Sequence, residues 1–327
     1  MGWTRLARFL AARLVKMVAV VFAIVCANFL LIHAAPGDPA SVMAGQSGAA
    51  DPQFLEQLRH EFGLDQPLGT QLWLYVSAVA HGDLGLSHRQ QRTVLSLIME
   101  RLPATLLLTG TAFLFALLAG VALGAAAARQ VGTWADSAIT VVALVFYATP
   151  IFWVGLMLVL VFSVWLGWLP SFGMNTVGAD LHGWAAAADT AQYLVLPALT
   201  LGLFYMAVYA RLTRSAMLGV AGEDFIKTAR AKGVPEGRIL RRHILRNALL
   251  PVVTLAGIQA GQLIGGSVLV ETVFAWPGIG RLAFDALLAR DYQVLLGVFL
   301  TTSILVVLFN LVTDLVYLAI DPRMAAA

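Results

Sequence analysis

Charge is scarce in this sequence. Only 12% of its 327 residues are Asp, Glu, Lys or Arg, and 60% are hydrophobic, against about 25% charged in an ordinary soluble domain; a water-soluble globule is excluded. Cysteine is rarer still. Cys26 stands alone, so neither a disulfide framework nor a thiolate metal site can be built, and its place inside an apolar run makes it packing. The sequence lacks G-x-x-x-x-G-K followed by Ser or Thr, so nothing here cradles nucleotide phosphates in the usual way. The six histidines (His33, His60, His81, His88, His182 and His243) fall outside the middle of the apolar runs, which leaves no buried catalytic base or metal cluster for an intramembrane enzyme. The formal net charge of +3 does not signal nucleic acid, because the basic residues are sorted between apolar runs and do not form a groove-facing patch.

What is present is a series of long uncharged stretches. A helix needs about 20 mainly apolar residues to cross the hydrocarbon with its backbone groups paired internally. Six stretches qualify: Met17 to Gly37, Leu102 to Ala128, Ser137 to Ala179, Thr190 to Ala210, Asn247 to Val270 and Tyr292 to Thr313. The third is overlong, and Pro150 is expected to kink it. The first follows Arg5, Arg8, Arg13 and Lys16, as a signal peptide would. Its 21 charge-free residues exceed the 7 to 15 or so of a signal core, so it reads as a retained helix. The fold class is therefore an all-α membrane protein of about six spans.

Orientation follows from Lys and Arg in the connections. Four precede the first span and nine lie between Arg211 and Arg246, whereas the segment from Asp180 to Asp189 has none. Both termini, the Arg129 to Asp136 turn and the basic segment are expected in the cytoplasm. Three regions result: 1–37, a tail and first span; 38–101, an outer insertion; and 102–327, a five-helix core carrying a cytoplasmic segment at 211–246. The insertion is expected to be partly helical, with Asp51 and Pro52 at a helix start, Phe54, Leu58 and Phe62 as one apolar stripe, and Gly63 as a stop. It serves either as a lid on its own bundle or as a docking surface.

The most informative stretch is Glu223 to Pro251, two helical patterns around a break at Gly233. Asp224 to Lys232 has its acidic residue in the opening turn and Arg230 and Lys232 near the end, as the helix dipole prefers. Gly233 suits a left-handed terminus and Pro235 the first turn that follows. Such an element can grip a soluble partner; a basic loop can equally set topology or touch anionic lipid.

TARAKG at 228–233 followed by LRNALLP at 245–251 resembles the cytoplasmic EAA loop of ABC importer permeases, in the form found in the dipeptide, oligopeptide and nickel group. Lys227 and Thr228 replace the first Glu and Ala of the general pattern, while Ala229 and Gly233 remain. The resemblance continues through PGDP at Pro36 to Pro39, GDLGLS at Gly82 to Ser87, RLPAT at Arg101 to Thr105, TPIFWVG at Thr149 to Gly155, LPALTLG at Leu196 to Gly202, WPGIG at Trp276 to Gly280, RDY at Arg290 to Tyr292 and DPR at Asp321 to Arg323. It implies a type I importer permease fold in a bacterial cytoplasmic membrane, set among lipid. It also implies pairing with a second homologous permease, two cytoplasmic ATPase subunits that bind ATP and Mg, and an extracytoplasmic substrate-binding protein; this chain itself holds no cofactor and no metal. Asp224, Phe225, Ile226, Thr228, Ala229, Arg230 and Gly233 would then couple to an ATPase, with Phe225 and Ile226 as apolar anchors.

Further candidates lie within the spans. Gly257, Gly261 and Gly265 recur every fourth residue and suit close helix packing. Gln259 and Gln262 lie on another face, as pathway lining or as interhelical hydrogen bonds. Asn310 and Asp314 share a face of the last span, where structural pairing is favoured over ion coupling. Trp276, Pro277, Gly278, Ile279 and Gly280 read as a rigid outer loop or short re-entrant element, a candidate outer gate. A secondary transporter would show an internal repeat and ion sites at broken helices, and no convincing repeat is present. The expected cargo is a di- or oligopeptide, with nickel chelates, glutathione or opine-like compounds as alternatives.

Overall fold

A computed structural model of the chain describes residues 3–34, 65–87 and 89–320. The PGDP and DPR motifs, the expected helix from Asp51 to Gly63, and His60 and His88 lie outside the described residues. Among the described residues, five helices are long and apolar enough to cross a bilayer: Arg13–Leu31, Val94–Arg129, Trp184–Ala221, Glu236–Val273 and Tyr292–Thr313. A sixth crossing comes from two helices, Trp134–Ala148 and Ile151–Trp165, which meet at an angle of 108°. Pro150 lies in the break, where it has no N–H to donate and its ring blocks continuation of the preceding helix. The kink expected there is thus a full break.

The chain forms two units, one of residues 1–103 and 278–327, the other of residues 104–277. This division differs from the boundaries suggested by sequence, because the last helices belong with the first. The first unit contains α1 (Trp3–Ala34), α2 (Leu68–Ala80), a two-stranded antiparallel hairpin of β1 (Leu86–Ser87) and β2 (Arg92–Thr93), the opening turns of α3 (Val94–Arg129), and helices we label α9 (Ile279–Ala289) and α10 (Tyr292–Ile320). Helix α3 begins eight residues before the apolar run because Val94, Leu97 and Ile98 are buried. Asn28 of α1 donates from Nδ2 to the carbonyl of Leu296 at 3.3 Å, tying α1 to α10. The RDY and GDLGLS motifs meet here. Asp291 caps α10 by accepting from the Val294 amide, and its other carboxylate oxygen takes the Ser87 hydroxyl at 2.5 Å.

The second unit comprises the rest of α3, then α4 (Trp134–Ala148), α5 (Ile151–Leu158) with its π-helical extension Val159–Trp165, α6 (Trp184–Ala221), α7 (Asp224–Ala231), and α8 (Arg246–Val273). Helix α6 is the centre of this unit and its most enclosed span. The core gathers Leu196, Leu201 and Tyr209 of α6, Leu108, Ala112 and Ala116 of α3, Leu263 of α8, and Phe274 and Trp276 beyond it.

Contacts along α6 show that the broken pair makes one crossing. Asp136 meets Arg214, Tyr147 stacks on Phe204 at 5.4 Å, and Gly155 lies against Thr200. Farther on, Asn175 and Thr176 bond Thr190 and Asp189. The chain therefore climbs α6 from its basic end to its far end despite the bend.

Close backbone packing falls on a stripe of α3. Ala112, Ala116, Gly120 and Gly124 of α3 recur every fourth residue, and a Cβ at Gly124 would run into the carbonyl oxygen of Ala210. Membrane helices associate through such small faces because lipid tails leave no hydrophobic drive between helices. Gly261 of the α8 stripe is buried, but Gly265 faces open space.

Candidate functional site

The basic end of the second unit carries the working surface. α7 starts after Glu223, in extended conformation, with Asp224 in its first turn, and ends at Lys232. Gly233 follows at φ +75° with no atom near enough to crowd a side chain. This is the left-handed conformation that a Cβ disfavours, so the turn itself requires glycine. Pro235 then precedes the single turn Glu236–Arg238, and a π-helical stretch, Ile239–Leu245, leads into α8.

One apolar cluster holds α7 on its own chain. Ile226 is fully buried with Met217 of α6, Ile239 and Ile244 of the π-helical stretch, and Ala248 of α8. Ile226, expected as an anchor toward a partner, thus faces inward. The reason is its position on the helix: adjacent residues point about 100° apart, so Phe225 and Ile226 cannot share a face. Phe225 is 46% exposed and remains free to meet a partner. Thr228 donates its hydroxyl back to the Asp224 carbonyl at 2.9 Å, and Ala229 packs against the Ile226 cluster. Arg230 forks onto Glu236, with Nε to Oε1 at 2.7 Å, across the Gly233 turn. That hydrogen bond pushes the guanidinium further above its ordinary range, and both side chains are exposed, so the pair shapes the turn more than it stabilises the fold.

A second ion pair fixes the end of α6 that feeds α7. Arg214 reaches Asp136 through Nε at 2.7 Å and a terminal nitrogen at 2.8 Å. Asp136 also accepts the Gly132 amide, while Thr133 caps α4. A forked guanidinium–carboxylate pair is geometrically specific, so α4 and α6 are locked in register at this end. The sequence counts Arg214 only as a topogenic charge; its partner lies 78 residues away.

The opposite end is closed. Glu271, just past the apolar run of α8, is fully buried, and its Oε1 accepts the Thr105 hydroxyl at 2.7 Å and the Ser267 hydroxyl at 3.1 Å. Trp276 donates its indole N–H to the Ala104 carbonyl at 2.8 Å and is fully buried. RLPAT thus supplies partners to both. Trp276, expected as part of an outer gate, is core in this conformation. Pro277 is half-buried, while Gly278 caps α9 and Ile279 and Gly280 open it, all three buried. Sequence reasoning passed over Glu271, although a single acid inside VLVETV is the kind of intramembrane charge that signals a partner.

Of the two glutamines of α8, Gln259 is buried with its Oε1 unpartnered among the described residues, and Gln262 is exposed. Asn310 is exposed on α10; the side chain of Asp314 lies outside the described residues.

Comparison with known proteins places this geometry. Residues 120–326 match the family described as "Binding-protein-dependent transport system inner membrane component", and residues 6–109 match its N-terminal counterpart. The glutathione transport system permease protein GsiC of Escherichia coli O6:H1 (strain CFT073) is 44% identical over 314 residues, covering 96% of this chain and 97% of that protein. Its counterpart in Escherichia coli strain K12 is 43% identical over the same span. Among solved structures, an inward-facing MetNI methionine ABC transporter matches with a TM-score of 0.54 at 21% identity, over 69% of this chain and 97% of that one; at that identity the likeness concerns the fold, that of a type I importer permease.

Proposed function

The chain belongs to the family of binding-protein-dependent transport system inner membrane components, and from that premise we propose that it forms the pore for a di- or oligopeptide-like solute, glutathione included, in an ATP-driven importer. It is a multi-pass inner-membrane permease subunit of an ABC importer and not itself an enzyme. In the proposed assembly a second, similar permease completes the pore, and two cytoplasmic ATPase subunits hold ATP and Mg. An extracytoplasmic binding protein delivers the solute. The high identity to glutathione permeases supports a peptide-like cargo over a nickel chelate.

The observation that carries the mechanism is α7 itself: a short exposed helix, seated on its own chain by Ile226 and turned back at Gly233 on the basic side. Closure of the ATPases would push on Phe225 and the exposed face of α7. Because Ile226 joins α7 to the ends of α6 and α8, the push reaches both spans. The test is Gly233→Val in the complete complex in proteoliposomes. A β-branched residue at positive φ costs on the order of 1–3 kcal/mol of strain, so ATP-driven glutathione uptake should fall about fivefold or more while membrane insertion stays normal. Undiminished uptake would remove α7 from the coupling path. The ligand retained by the copurifying binding protein checks the cargo: a peptide-like compound supports the assignment, and a metal chelate replaces it.

A further inference from the structure

At the basic end of the second unit, α4, α6 and α8 bound an open groove of about 610 Å³, within the range of about 300–1,000 Å³ common for small-molecule sites. Thr140 and Tyr147 line it from α4, Arg211, Arg214 and Ser215 from α6, and Leu255 from α8. Its two guanidinium groups stand in different states. Arg214 is answered by Asp136. Arg211 lies over the Tyr147 ring at 4.3 Å from the centroid and has no carboxylate partner among the described residues. A cation–ring contact uses none of the N–H donors with which a guanidinium takes a carboxylate in a fork.

The α8 wall points to a hydrated solute. Leu255, Gln259 and Gln262 are spaced i, i+4, i+7 and share one helix face. Gln259 has an unpartnered buried oxygen, and Gln262 is exposed. An exposed amide on a membrane helix, as at Gln262, belongs on a water-filled path and not against acyl chains. The polar face of α8 therefore leads toward a groove holding one unanswered positive charge.

We infer that this groove is a holding site on the cytoplasmic side of the path for a carboxylate-bearing solute, with Arg211 taking the carboxylate in its fork. Thr140 and Ser215 line the same groove and can meet the remaining polar groups. The inference rests on the importer reading and deepens it by assigning the cargo its charge: an anionic, peptide-sized molecule. Arg214, already engaged with Asp136, holds the α4 and α6 walls in place and leaves recognition to Arg211.

The test uses the complete nucleotide-free complex, without binding protein, in phosphatidylcholine nanodiscs. Glutathione and its diethyl ester, whose two carboxylates are blocked, are titrated and followed by ligand-observed NMR. Loss of a charge-assisted hydrogen-bonded pair should weaken glutathione binding about tenfold or more in Arg211→Gln. Arg211→Lys keeps the charge without the fork and should retain more of the binding than Arg211→Gln. The ester should bind weakly and alike in all three proteins. Equal glutathione affinity in wild type and Arg211→Gln overturns the inference, as does an equal loss for glutathione and ester, which would make Arg211 a packing residue. Exchange into phosphatidylglycerol nanodiscs addresses lipid: if the anionic headgroup abolishes wild-type glutathione binding, the groove is a headgroup site and the inference fails, whereas persistent binding supports it. ATP-driven uptake by the wild-type complex with its binding protein judges the importer reading separately. Absence of uptake alongside Arg211-dependent binding would sink the proposed cargo and leave the groove assignment standing.

Discussion

The seam between α3 and α6 and the α7 arm belong to the same unit and are built on opposite terms. In the seam, small residues bring two backbones together, and the polar groups near its far end are satisfied inside the protein, Glu271 by Thr105 and Ser267 and Trp276 by Ala104. In the arm, one buried isoleucine does the seating and most other side chains face outward. Lipid offers no hydrogen bonds, so the polar groups at that end close on one another. On the arm the charged groups pair at the exposed surface instead, Lys227 with Asp224 and Arg230 with Glu236.

Substitutions can break this contrast. The largest expected effect is Gly124→Val, which drives two methyl groups toward the Ala210 carbonyl. Overpacking commonly costs about 1–3 kcal/mol, and more where backbone must move, so most of the protein should fail to accumulate in a folded, detergent-stable form. Next comes Glu271→Ala, which removes the carboxylate acceptor of the buried Thr105 hydroxyl, while Ser267 keeps the Ile264 carbonyl, at on the order of 1–3 kcal/mol; a lower Tm of the purified complex reports it. Equal stability of this variant and wild type would show that the closed end is not what holds the unit.

Two changes on the arm sharpen the comparison. Ile226→Val trims the seat of α7 and should cost about 0.5–1.5 kcal/mol, seen as faster amide exchange across 224–231 with little change in the Tm of the whole. The smallest effect on stability is expected from Phe225→Ala, within about 0.5 kcal/mol for an exposed position, yet ATP-driven uptake should drop. A variant with normal uptake would show that the exposed face of α7 does not meet the partner through Phe225.

Much of this was legible in the residue order. The spans, the break at Pro150 and the left-handed turn at Gly233 each depend on a property of a few adjacent residues. Other readings depended on what lies across the fold. The glycine stripe of α8 and the Ala112 to Gly124 stripe of α3 look alike as patterns, yet Gly265 of the first faces open space while Gly124 of the second has the Ala210 backbone pressed against it. Phe225 and Ile226 are both apolar and adjacent, and only their angular positions on α7 separate the exposed residue from the seat.

By itself the sequence determined where the long apolar runs lie, which end is basic and where α7 turns, because run length, charge count and the φ preference of glycine act locally. Tertiary structure alone decided which charges are answered. Arg211 and Arg214 lie one turn apart on α6, yet among the described residues only Arg214 finds a carboxylate, brought from α4. That pairing is set by the packing of distant segments, and no local pattern records it.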